Sequence, residues 1–205
     1  MNKDTSECLR SILDKLKDID YIKPEDIPNI ELYMDQVTTF MDEHLESTKR
    51  YSSDKILTKT MINNYAKNDL LPPPVKKKYS KEHMLLLIFI YYFKNILSIT
   101  DIERLLTPLT EKYFNSVEDM KLQDIYEEVF SFEKEQADKL AKDILEEYKK
   151  AHSSFKNVKK EDKEFLHIFS FICMLSFDVY IKKLLIEKLV DDIPVSEKKK
   201  KDKAK

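Results

Sequence analysis

The residues best suited to chemistry fall in one stretch, TKTMINNYAKNDLLPPPVKKKYS, where amides, hydroxyls and lysines recur at helical spacing ahead of three prolines and three lysines. With Thr58 or Thr60 as N-cap, the pattern predicts a helix from about Lys59 to Asn68. Leu57, Met61, Ile62, Tyr65 and Ala66 then face inward, while Lys59, Thr60, Asn63, Asn64 and Lys67 lie outward, spaced by threes and fours. An asparagine amide can make paired hydrogen bonds to adenine N6 and N7 in the major groove, and lysine and threonine can reach phosphates or other base edges. Lys76, Lys77 and Lys78 would sit on phosphates beside that groove, held by the stiff Pro72-Pro73-Pro74 segment. The expected partner is double-stranded DNA.

A duller reading stands beside this one. Exposed asparagines and lysine runs are ordinary solvated surface, and arginine is scarce (Arg10, Arg50, Arg104), which points to a coding bias that inflates lysine everywhere. Position therefore carries more weight than count. Seven lysines lie between residues 55 and 81 against Asp69 alone, whereas residues 101 to 150 are acidic on balance. The whole chain has a formal charge of −2, so it has no general affinity for polyanions.

Other chemistries find little support. The chain has no glycine, which excludes the phosphate-cradling loops of Walker-type and Rossmann-type sites and disfavours hairpin-rich folds. Cys8 and Cys173 form neither a disulfide framework nor a metal spacing, and a reducing cytoplasm fits them best. His44, His83, His152 and His167 are too scattered for a metal motif. Glu127, Glu128, Glu133, Glu135, Glu146 and Glu147 read as helix surface, and no serine or cysteine has a base at recognisable spacing. The expectation is a protein without catalytic residues, cofactor or metal.

The elements that must position the lysine corner are helical, and the expected fold class is all-α. Residues 1–26 form a short amphipathic helix and a proline-punctuated connector. Residues 27–108 hold the DNA-reading module: a helix from Ile30 to about Ser47, a long loop from Thr48 to Lys55, the helix with the asparagines, an apolar helix from Lys81 to about Leu97 covered nearly all round, and a short helix stopping before Pro108. Thr100 with Glu103 gives the best capping box for that last helix, and Ser98 with Asp101 the second best. Residues 109–193 form a helical dimerisation or effector part, with a long acidic helix from Val117 to about His152 and an apolar helix from Glu161 to Val190. The run Phe165 to Phe177 is too short to span a bilayer and reads as buried, and no membrane association is expected. Phe165, Phe169, Phe171, Phe177 and Tyr180 form a core or homodimer seam, with a pocket for a small apolar effector as the alternative use. Residues 194–205, a lysine-rich tail, are expected to be disordered.

The order of a helix with a tyrosine, LLPP, basic residues, YS, a long helix and LSITDIERLL resembles the MerR-type winged helix-turn-helix. More closely, IELYMDQVTTFMDEHL, LTKTMINNYAKNDLLPPPVKKKYSKEHMLLL and LSITDIERLL are similar to the bacterial DUF1836 family, over roughly residues 27 to 106. The resemblance implies a DNA-binding transcriptional regulator, and the apolar final helix, which favours burial against a second copy, points to a dimer. Two departures stand out: PPPVKKKYS lacks the longer glycine-bearing hairpin of a MerR-type wing, and the Thr48 to Leu57 loop exceeds a tight helix-turn-helix turn. MerR-type metal sensing needs cysteines that this chain does not offer beyond Cys173. The competing class is a helical interaction protein that binds another protein and never touches DNA.

Overall fold

The structure, a computed structural model, describes residues 21–117 and 119–194. It is mostly helical. The predicted helix from Ser6 to Ile19 and the lysine-rich tail lie outside the described residues. In chain order, strand β1 (Leu32–Tyr33) precedes α1 (Met34–His44), α2 (Lys59–Lys67), β2 (Lys78–Tyr79), α3 (Lys81–Phe93), α4 (Ile99–Tyr113), α5 (Leu122–Ser131), α6 (Glu133–His152) and α7 (Lys160–Asp191). By contact density the described chain divides into two units: residues 22–128 with 186–194, and Tyr21 with residues 129–185.

In the first unit α3 is the central element. Every side chain from His83 to Tyr91 is buried, as its nearly charge-free sequence predicts. Each large apolar residue so buried contributes about 1.5–3 kcal/mol. Tyr126 of α5 meets Phe89 edge to face at 5.4 Å and donates its hydroxyl to the Ile22 carbonyl at 2.7 Å, tying the connector ahead of β1 to the core. Arg104 of α4 donates to the Ile193 carbonyl at 2.8 Å and is ion-paired with Asp191. One of the three arginines is therefore structural.

Three sequence expectations change here. The helix expected to stop before Pro108 runs on to Tyr113 with the proline inside it. Pro108 removes one N–H from the ladder, but Thr107 and Thr110 donate their hydroxyls to the Glu103 and Thr107 carbonyls at 2.6 and 3.0 Å beside the gap, and burial of Ile102 and Leu106 holds the helix on the core. Its cap is Ser98 with Asp101, not Thr100 with Glu103: Ser98 Oγ accepts the Asp101 N–H at 3.2 Å and the Asp101 carboxylate accepts the Ser98 N–H at 3.1 Å. The helix expected from Ile30 begins at Met34, because Leu32 and Tyr33 are drawn into a strand.

The expected single helix from Val117 to His152 is two, α5, most of which belongs to the first unit, and α6 of the second, separated by Phe132, which is half exposed. His167 is buried and its Nε2 lies 3.0 Å from the Ser154 carbonyl, a structural role for that histidine. The expectation of a buried helix over Phe165 to Phe177 is overturned for the single chain. Phe165, Phe169, Ile172 and Phe177 are 52–67% exposed, and the apolar surface continues through Tyr180 to Leu189. Among the described residues little covers α7 along Phe165 to Phe177, a stretch without a charged residue. Helix α7 is long and apolar enough to cross a membrane, by length and composition, so the sequence-based estimate of a run too short for a bilayer does not hold for the whole helix.

Candidate nucleic-acid interface

Helix α2 begins where Thr58 Oγ1 accepts the Met61 N–H at 3.1 Å, which satisfies one of the free donors of the first turn. Thr60, the other candidate cap, stays on the helix and points outward. Ile62 and Tyr65 are buried at 0% and 5% exposure, with Leu57 behind them. The sequence-predicted inner and outer faces are thus those observed: Lys59, Thr60, Asn63, Asn64 and Lys67 are all exposed.

The helix stops before the prolines act. Asp69 adopts a left-handed φ of 57°, and the Leu70 N–H returns to the Tyr65 carbonyl at 2.9 Å, a Schellman closure that a chain without glycine builds with aspartate. Leu70 and Leu71 are buried and pin the exit. The segment Pro72 to Pro74 has no regular structure of its own and leads into a hairpin: Val75 bridges Lys78, and the Lys78 N–H donates to the Val75 carbonyl at 2.9 Å. Lys78–Tyr79 then pairs antiparallel with Leu32–Tyr33.

The hairpin tip is Lys76-Lys77, with φ of 51° and 65°. Two consecutive positive φ values are the signature of a type I′ turn, which normally uses Asn-Gly or Asp-Gly because a side-chain Cβ is strained there. Glycine's absence from the sequence argued against such hairpins, and the structure shows one made from two lysines. Both are exposed at the tip. Eight residues separate Lys67 from Lys76, so the tip lies within roughly 30 Å of the end of α2 even on a fully extended path.

The eight sequence-predicted positions are not electrostatically equivalent. Lys59 is ion-paired with Asp35 of α1. Lys78 lies 3.8 Å from Glu31 and 5.5 Å above the Tyr33 ring, half-buried, so it braces β1 against β2 as well as lending charge. Lys67, Lys76 and Lys77 form no ion pair among the described residues. Among these eight positions, positive charge available to a polyanion is therefore concentrated at the end of α2 and at the hairpin tip.

His83 ties these pieces together. It is 3% exposed, edge-on to Tyr79 of β2 at 5.5 Å and to Phe114 at 4.8 Å. Its Nδ1 accepts the Ser80 N–H at 3.0 Å, completing the cap of α3. Nε2 has no partner of good hydrogen-bond geometry among the described residues, though the Pro72 and Pro73 carbonyls are near enough to favour a charged ring, as does Glu31. Burial outweighs them and pushes the His83 pKa down. A neutral ring can accept from Ser80; a protonated one cannot. The unfolded chain takes up the proton near pH 6.5 while the folded one resists, so stability is fully present above that pH and declines as pH falls below it. Denaturant titrations of wild type and His83→Asn at pH 7.5 and 5.5 should show the larger loss on acidification in the wild type.

These features define a class: a mostly helical domain in which an exposed polar helix face and a lysine-tipped hairpin are anchored to one apolar helix. The chain belongs to the DUF1836 family, a domain of unknown function, matched over residues 22–129. That match ends one residue beyond the long segment of the first unit, residues 22–128, so the family domain contains α4 and all but the last two residues of α5. No curated protein and no solved structure matches the chain.

Proposed function

We propose that the protein is a sequence-specific DNA-binding transcriptional regulator that acts as a homodimer, with α2 as the reading helix of a MerR-like helix-turn-helix and the hairpin as a reduced wing. One observation carries this reading: two unpaired lysines occupy strained left-handed positions at the tip of the hairpin that follows the amide-bearing helix. Among the described residues the other left-handed positions are Asp69 and Asn115, whose side chains tolerate that region better than lysine does, and Phe155. Backbone strain retained at an exposed charged turn supports a binding role for it.

Asn63 and Asn64 read base edges in this proposal, Thr60 and Lys67 support them, and Lys76 and Lys77 take phosphates, with Lys59 and Lys78 contributing once released from Asp35 and Glu31. Binding to fragments of the upstream region of its own gene, measured at several salt concentrations, tests the proposal; sequence preference with a negative salt slope is expected. Asn63→Ala and Asn64→Ala should each erode preference between sites by on the order of 1–3 kcal/mol and leave the salt slope unchanged. Preference that survives both substitutions would remove these asparagines from the reading role.

The exposed apolar surface of α7 favours a second copy as partner: a helix apolar all round belongs in a core, and pairing the α6 and α7 helices of two chains would build one. The groove between α6 and α7, about 450 Å³ and lined by Leu140, Ile144, Leu175 and Val179 among others, is where such a seam or an apolar effector would seat. The same surface also favours a second reading, a helical interaction protein that binds another protein through α7 without DNA. Absence of salt-sensitive, sequence-preferring binding to duplex DNA would select that reading over the first.

A further inference from the structure

The loop between α1 and α2 and the C-terminal end of α3 enclose a cleft of about 350 Å³. Four cationic side chains line it, Lys49, Arg50 and Lys55 from the loop and Lys94 from the helix end, against one carboxylate, Asp54. Asp54 is turned into the loop, where it accepts the Tyr51 N–H at 3.0 Å. Lys49 is ion-paired with Asp42 of α1 at 3.3 Å. Arg50 is exposed over the Tyr51 ring, and Lys55 is exposed without an ion pair among the described residues.

Lys94 is the informative member. Its Nζ donates to the Ile56 carbonyl at 2.5 Å and stands 4.8 Å from the Tyr91 ring centroid. An ammonium has three donors, and this one is half-buried with a single carbonyl acceptor and no carboxylate partner among the described residues. Burial lowers its pKa accordingly. A partly desolvated cation with unfilled donors, flanked by two unneutralised cations, is matched best by an anion with several acceptor oxygens.

We infer that this cleft binds a phosphate group, with Lys94 at its base and Arg50 and Lys55 at its rim. The cleft is larger than a phosphate ion, leaving space for whatever carries it. Two sources share that chemistry: the backbone of a nucleic acid and a free phosphorylated small molecule. Lys55 also lines a second depression with Asp42, Thr58 and Lys59, which brings the cleft's rim near the start of the proposed reading helix. The inference stands apart from the DNA reading, since a free phosphate ester would fill the same cleft in a protein that binds no DNA.

Titration of the full chain with sodium phosphate and with pyrophosphate at constant ionic strength, followed by amide chemical shifts, tests it. Saturable shifts confined to the loop and Asn95 are expected in the millimolar range or below. Lys94→Met, and separately the exposed Arg50→Ala and Lys55→Ala, should weaken binding about fivefold or more, a charged hydrogen bond being lost each time. The exposed variants keep the test decisive if Lys94→Met fails to fold. In a second arm, binding to duplex DNA is measured against salt: a slope lowered by about 0.9 in Arg50→Ala and Lys55→Ala identifies the backbone as the source. An unchanged slope with pyrophosphate binding retained identifies the free ester. Absence of saturable phosphate or pyrophosphate binding together with unchanged slopes, or binding that survives all three substitutions, would overturn the proposal.

Discussion

Replacing the hairpin tip with Asn-Gly, by Lys76→Asn and Lys77→Gly together, is expected to make the protein more stable and a weaker ligand for DNA. Both lysines have φ near +60°, where an L-residue with a Cβ is strained and Asn-Gly is the preferred pair of a type I′ turn. Relief of that strain should raise the unfolding free energy by about 1–2 kcal/mol. The same change removes two exposed cations with no ion pair among the described residues. Loss of two phosphate contacts should lower the salt slope by about 1.8 and weaken binding roughly 10–100-fold near 0.1 M salt. The opposed signs distinguish a functional tip from a decorative one, because a merely structural turn would gain stability and lose nothing. Asn115→Gly is the control: it relieves a similar φ of 54° and keeps the N–H that Asn115 donates to Glu82 at 2.8 Å. It should stabilise slightly and leave DNA binding alone.

The second large effect concerns α7. Phe177 is 66% exposed near the middle of the apolar surface, next to Val179 and Tyr180 at 64% and 56%. If two copies cover this surface, Phe177→Glu places a charge in a core and should convert the dimer to monomer, seen as a halving of mass in sedimentation equilibrium. Affinity for a two-half-site duplex should then fall by about 10²–10⁴, because the second half-site is no longer held at high effective concentration. Affinity for a single half-site should be unchanged. A wild-type chain that stays monomeric and partitions onto lipid vesicles through α7 would contradict the dimer, and the length and composition of the helix make that control necessary.

Much of the first unit was legible from residue types. The buried stripe of α2, the nearly charge-free α3 and the cap at Thr58 follow from period and polarity, which local sequence specifies directly. The joints were less so. Pro108 reads as a stop because proline removes a donor, yet the helix persists because Ile102 and Leu106 are held by the core and threonine hydroxyls engage neighbouring carbonyls. The hairpin was obscured by glycine's absence, since nothing in Lys76-Lys77 advertises a left-handed turn; the brace that fixes it is long-range, the pairing of Lys78 and Tyr79 with residues about 45 positions earlier. Of the candidate DNA contacts, the ion pairs of Lys59 with Asp35 and Lys78 with Glu31 depend on a neighbouring element and could not be read locally. The cationic cleft was missed for a similar reason, because Lys94 meets the α1 to α2 loop only in the folded chain. Arg50 offered a signal: with three arginines in the whole sequence, one in an over-long loop between two helices invites inspection.

Selection of bound sequences from a randomised duplex library, carried out with the full chain and repeated with Asn63→Ala combined with Asn64→Ala, tests the central claim most directly. The account predicts enrichment of a pseudo-palindromic sequence by the wild type, and loss of that enrichment in the double variant while salt-sensitive binding to duplex persists. Recovery of unenriched sequence by the wild type, or the same enriched site from both proteins, would contradict it.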